Sequence, residues 1–102
     1  MSTLNAGDYK VLQTLYDSTG GNKNKWTNNT GWKDWNFSST RYPDADDVDL
    51  HWVGVTVVDS RVTKIELGQN NLSGTLPSEL GSLSNLQILD LNNNFPERYA
   101  PP

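Results

Sequence analysis

Val62-Thr63-Lys64-Ile65-Glu66-Leu67-Gly68-Gln69-Asn70, residues 62–70, returns in altered form as Leu86-Gln87-Ile88-Leu89-Asp90-Leu91-Asn92-Asn93-Asn94, residues 86–94. Val62 pairs with Leu86, Ile65 with Leu89, Leu67 with Leu91 and Asn70 with Asn94, each at an offset of 24 (86 − 62 = 24). Self-similarity at a fixed period of this size is the mark of a solenoid, in which each turn stacks on the one before. The chain holds about one and a half such turns. Between the two copies run Leu72-Ser73-Gly74-Thr75-Leu76-Pro77, then Leu80, Gly81 and Leu83.

The spacing has a physical meaning. Ile65 and Leu67 alternate with Lys64, Glu66 and Gly68, which is strand periodicity, so the leucines face inward and the alternate residues line a concave surface. Asn70 and Asn94 end their strands, where a side-chain amide can bond backbone groups freed by the turn, and stacked copies can bond each other. Pro77 suits the first turn of a short helical segment on the convex side, and Gly81 is expected to let the chain leave it.

Residues 70–86, Asn-Asn-Leu-Ser-Gly-Thr-Leu-Pro-Ser-Glu-Leu-Gly-Ser-Leu-Ser-Asn-Leu, resemble the plant-type leucine-rich repeat. Upstream, Trp52-Val53-Gly54-Val55-Thr56 followed by Arg61-Val62-Thr63 resembles the capping module that precedes such repeats. The likeness runs over roughly residues 8–94. It implies an α/β fold: a short right-handed solenoid with parallel strands on its concave face, capped by an N-terminal helix and a hairpin. Where the family carries two cysteines around the tryptophan motif, this chain has Leu50 and Val57. The cap is thus similar to the cysteine-free form of microbial repeat proteins, and Leu50 and Val57 are expected to touch in place of a disulfide. The division implied is a capping module over 1–60, repeats over 61–94 and a proline-rich tail over 95–102.

A chain of 102 residues with 34% hydrophobic content is one domain with a thin core. One and a half turns are too few for an isolated array, so the first sixty residues must supply the missing core. A net charge of −4 with scattered Lys and Arg offers no stripe to neutralise phosphates, which argues against nucleic acid. The absence of cysteine excludes disulfides and thiolate metal sites and permits a reducing compartment. Residues 1–8 lack the pattern of a signal peptide, which points to the cytoplasm unless a leader has been removed. No run reaches the length of a membrane span.

Within the cap, Val11, Leu12, Leu15 and Tyr16 form one apolar face of a helix over 8–18, capped by Asn5 or Asp8 and stopped by Gly20-Gly21. Its expected role is to cover the first leucine row. Residues 22–40 read as a loop holding Trp26, Trp32, Trp35 and Phe37. Trp26 and Trp32 are expected to pack the helix onto the first strand. Trp35 and Phe37 fit no repeat pattern and are the candidates for a glycan platform. Asp44, Asp46, Asp47 and Asp49 read as a solvated acidic loop, lacking the central Gly and terminal Glu of a calcium-binding loop. One histidine, His51, without cysteine makes a zinc site improbable. Val53–Val58 and Arg61–Leu67 read as a hairpin turning at Asp59-Ser60. After Asn94 the pattern breaks, since Pro96 stands 24 residues after Leu72. The tail is therefore expected not to extend the sheet, with Phe95 and Tyr99 available as a cover.

No nucleophile–base order, phosphate loop or metal-ligand cluster appears, so catalysis has no support and no cofactor or metal is implied. Glu66 and Asp90 stand at stacked positions, about 4.8 Å apart at the backbone. They are expected on an open face as solvated acids and not as a glycosidase pair. The binding reading places Lys64, Glu66, Gly68, Gln69, Ile88, Asp90, Asn92 and Asn93 on the concave strip, facing a protein partner. Carbohydrate binding at Trp35 and Phe37 is the alternative. If the tail leaves Leu86, Leu89 and Leu91 uncovered, the last strand is an open edge that invites a homodimer. Sequons at Asn28, Asn36 and Asn71 matter only in a eukaryotic secretory route.

Overall fold

The computed structural model describes residues 2–38, 40–94 and 98–99. Helix α1 spans Ala6–Ser18, starting two residues earlier than its apolar spacing suggests, because Asn5 is the cap: its side chain accepts from Asp8 N–H at 3.0 Å. The helix ends at Thr19, whose N–H reaches Leu15 O, and Gly20 turns the chain in the left-handed region. Its buried face holds Val11, Leu12, Leu15 and Tyr16, as the spacing requires, together with Tyr9. The acidic stretch is not a loop. Ala45–His51 forms a short helix, α2, seated by buried Ala45 and Val48, with Asp46 and Asp47 in its first turn where the helix dipole favours them.

Strands β1 (Val55–Val58) and β2 (Arg61–Glu66) form the expected antiparallel hairpin. Asp59 and Ser60 both take positive φ, 52° and 65°, the backbone signature of a type I′ turn. Gly54, at φ 80°, precedes the hairpin; an added Cβ there would lie 2.6 Å from Glu66 O. A short strand β3 (Thr75–Leu76) and a 3₁₀ turn over Ser78–Ser82 carry the convex side. Strand β4 (Ile88–Asp90) then returns to pair in parallel with β2, Ile65 beside Leu89 and Glu66 beside Asp90, at the offset of 24 (89 − 65 = 24) read from the sequence. The sheet order is β1-β2-β4. Pro77 stands just before the 3₁₀ turn. Gly81 lies inside that turn with nothing within 4 Å of an added Cβ, so it is not the exit the sequence suggested.

Arg98 and Tyr99 stay out of the β1-β2-β4 sheet, as expected of the tail, and pair elsewhere. Arg98–Tyr99 forms strand β5, which pairs in parallel with β3, Thr75 beside Arg98 and Leu76 beside Tyr99. The repeat therefore continues on the convex side with one residue fewer (99 − 76 = 23). Proline near the pairing does not prevent it, because β5 is an edge strand. The expected role of Phe95 lies outside the described residues.

One core joins cap and repeat. Leu12 and Leu15 of α1 share it with Val62, Ile65, Leu67, Leu72 and Trp32, all at 2% exposure or less. A buried carboxylate locks the two regions together: Asp8 accepts from Arg61 Nε at 2.9 Å, Arg61 Nη2 at 3.2 Å and Val62 N–H at 2.9 Å. The hydrogen bond to Asp8 raises the Arg61 pKa above its ordinary value. Asp8 is thus a clip as well as a first-turn residue of α1. Leu50 and Val57 do not form the expected apolar staple, since Leu50 is 75% exposed. The link is polar instead: Asp49 Oδ1 accepts from Val57 N–H at 2.8 Å, holding α2 beside β1.

Candidate binding surface

The strip expected to face a partner is built by β2, β4 and the turns that follow them. Parallel pairing sets Lys64 beside Ile88 and Glu66 beside Asp90. Beyond the strands, Leu67 N–H donates to Asp90 O at 2.9 Å and Gln69 N–H to Asn92 O at 2.8 Å, so the two turns stay stacked past the last ladder pair. Gln69 and Asn93, one period apart (93 − 69 = 24), share the left-handed region at φ 55° and 59°. That repeated kink follows each strand and precedes Asn70 and Asn94, whose side chains turn back onto the backbone. Lys64 and Asp90 are half-buried, and Glu66, Gly68, Gln69, Ile88, Asn92 and Asn93 are exposed. All eight predicted residues therefore lie on two stacked turns within reach of solvent. Asp90 Oδ1 accepts from Asn92 N–H at 3.0 Å, which orients its carboxylate. At the head of the strip an open hollow of about 260 Å³ is lined by Thr27, Asn28, Val53, Glu66, Gly68, Gln69 and Asn70.

Asparagines fix the strip's inner border. Asn94 Oδ1 accepts from Asn70 N–H at 2.9 Å and Leu72 N–H at 3.0 Å, while its Nδ2 donates to Leu67 O at 2.7 Å and Leu91 O at 3.0 Å. Asn70 has the same role in the turn above. Its Oδ1 accepts from Asn28 N–H at 2.6 Å and its Nδ2 donates to Asn28 O at 2.9 Å. The predicted stacking is present as a backbone-to-side-chain ladder, and its first rung is the cap loop. Asn28 as partner was not legible, because a loop's return path has no period.

The aromatic residues form a second feature. Trp26 and Trp32 are 4% and 0% exposed, and both pack on Tyr16 in the core, Trp26 edge-on and Trp32 stacked. Trp35 and Phe37 are half-buried. Trp35 Nε1 donates to Tyr9 Oη at 2.9 Å, and Arg41 lies 5.8 Å from the Trp35 ring. Phe37 stacks on Tyr9 at 5.7 Å and meets Trp52 edge-on at 5.7 Å. Both rings are thus committed to the cap. His51 pairs with Asp47 at 3.3 Å on the surface, and no group of metal-ligating side chains exists among the described residues. Among them, no helix is long and apolar enough to cross a membrane.

A stacked 24-residue turn, an asparagine ladder and a helical cap give this chain an architecture similar to that of leucine-rich-repeat ectodomains. The homologues of this chain are plant leucine-rich-repeat receptor-like proteins, and its structural neighbours are leucine-rich-repeat ectodomains. A probable leucine-rich repeat receptor-like protein kinase of Arabidopsis thaliana is 42% identical over 62 residues, covering 60% of this chain and 7% of the relative. Leucine-rich repeat protein 1 of the same plant is 54% identical over 41 residues, covering 39% of this chain and 19% of the relative. The BIR2 ectodomain from Arabidopsis thaliana superposes with a TM-score of 0.63 at 28% identity, over 93% of this chain and 45% of that one. The structure of PEPR1-AtPEP1 superposes with a TM-score of 0.56 at 27% identity, over 86% of this chain and 11% of that one. No family model matches. The chain spans 7% and 19% of the length of these two curated relatives and less than half of either solved chain.

Proposed function

We propose that this chain is a non-catalytic protein-interaction module that presents its concave strip to an extended segment of a protein partner. Residues 1–60 serve as the capping module, 61–94 as the turns that carry the strip and 95–102 as its tail; the turns coil as a right-handed solenoid. The carrying observation is the strip itself: eight residues, mostly polar or charged with Ile88 the one large apolar side chain, on two turns held in register by backbone bonds and the asparagine ladder. Such a surface is rigid before a partner arrives, so little ordering entropy opposes binding. Its two strands fall short of the roughly 800 Å² per partner of an ordinary interface, so binding by this chain alone should be weak. A structural neighbour that is itself a complex, PEPR1-AtPEP1, supports the protein-binding reading.

The test is selection of binders from a displayed random-peptide library against residues 1–102, followed by affinity measurement. Glu66→Lys combined with Asp90→Lys should weaken the selected peptides tenfold or more. Unchanged affinity would move the binding surface elsewhere. The carbohydrate alternative draws less support, because Phe37 is stacked on Tyr9 and Tyr16 and Arg41 lies over the Trp35 ring. Sugar binding on a glycan array that is lost in Trp35→Ala would revive it.

A further inference from the structure

The hollow at the head of the strip lies where cap and repeat meet. Thr27 and Asn28 of the cap loop form one wall, and residues 66–70 at the end of β2 form another. Val53, half-buried and packed against the core, adds an apolar wall. Backbone bonds across the junction hold these walls in place. Thr27 N–H donates to Asn70 O at 3.0 Å, Val53 N–H to Thr30 O at 3.0 Å and Glu66 N–H to Gly54 O at 2.7 Å. The asparagine ladder runs Asn28, Asn70, Asn94, and the hollow lies between its first two rungs. A further turn would add past Asn94, on the side away from the hollow. Glu66 is the one ionisable side chain in the described lining. It is exposed, and among the described residues its carboxylate has no hydrogen bond and no ion-pair partner. The Gln69 side-chain amide is equally unengaged among them. Lys64 stands two residues back, beside Ile88, and Asp90 beside Glu66 adds charge of the same sign.

We infer that this hollow takes an arginine side chain from an extended segment of the protein partner. The inference rests on the reading of the strip as a protein-binding surface and names the partner's chemistry at its head. An apolar wall with a free carboxylate at the rim fits a side chain with an aliphatic stem and a cationic head. The methylenes lie against Val53, and the guanidinium meets Glu66. Arginine fits better than lysine because its planar fork can donate to both carboxylate oxygens and to the Gln69 amide oxygen at once. An acidic side chain is repelled by Glu66 and Asp90, and a neutral one leaves the Glu66 charge unmatched. The walls are already bonded in place, so the cost of ordering falls on the arginine alone.

The test uses residues 1–102 and the peptides selected from the displayed random library. Those peptides should share an arginine at one position. Exchanging it for citrulline, which keeps the shape and removes the charge, should weaken binding by about tenfold or more. On Glu66→Gln the same exchange should change affinity by less than about twofold, because the partner charge is gone. Glu66 is exposed and makes no side-chain bond among the described residues, so this variant should keep its circular dichroism. In nitrogen-labelled protein, amide shifts on adding the arginine peptide should centre on Thr27, Asn28 and Gly68. No shared arginine, a citrulline loss equal in both proteins, or shifts away from the hollow would each overturn the inference. Peptides that lack a shared arginine yet are weakened by Glu66→Lys with Asp90→Lys would overturn it and leave the strip reading standing. Peptides indifferent to that pair, or a library that yields no binder, would overturn both.

Discussion

Single side chains carry much of the joining between cap and repeat. Asp8 is 1% exposed and accepts three hydrogen bonds from Arg61 and Val62. Asp8→Ala leaves the buried Val62 N–H without an acceptor, which costs about 1–3 kcal/mol. The expected result is a melting temperature lower by roughly 5–15 °C, measured by circular dichroism. Asn94→Ala removes four hydrogen bonds at one stroke and should destabilise by about 2–3 kcal/mol in urea unfolding. Asp17 behaves oppositely. Burial raises its pKa above 3.8, so the folded chain holds that proton more tightly than the unfolded one. Its contribution to stability therefore falls as pH rises from about 4 through the raised value. Asp17→Asn should flatten that region of the stability–pH curve without loss at neutral pH. Asn70 and Asn94 could be read from their period alone. Asp8 could not, because its partners lie 53 and 54 residues away and no pattern links a helix N-terminus to a hairpin.

Among the elements, β1, β2, β4 and α1 were legible because their apolar spacing is local, whereas β3 and β5, two residues each, carry no such spacing. The acidic stretch misled, since four aspartates resemble a loop until Ala45 and Val48 are seen to bury one face and the dipole to favour Asp46 and Asp47. Leu50 misled for a different reason: the family's cysteine position marks where a bond stands, not which way a leucine there will point. Two glycines separate constraint from convenience. Gly74 sits at φ 74°, and a Cβ there would stand 2.4 Å from Ser18 O at the end of α1. Gly74→Ala should destabilise by about 2 kcal/mol or more, combining strain with displacement of the helix end. Gly81 has open space and an ordinary φ, so Gly81→Ala should be neutral or add about 0.4–1 kcal/mol. Denaturant midpoints of the two variants read the difference directly.

At the scale of the whole molecule, the boundary near residue 60 is not a physical seam. Leucines of α1, tryptophans of the cap and aliphatic residues of β2 and the first turn fill one core. Unfolding should therefore be a single transition, with tryptophan fluorescence and amide circular dichroism coincident. A chain starting at residue 61 should remain unfolded, as its leucine row would lose its cover. The sequence foretold the need for that cover but not the density of rings that meet it. Trp26, Trp32 and Trp52 lie in a chain of ring contacts 4.9 to 5.2 Å apart at their centroids. Chromophores so near and so fixed exchange excitation. The cap thus contains its own optical gauge: near-ultraviolet dichroism should report, without any added label, the moment at which helix and repeat separate.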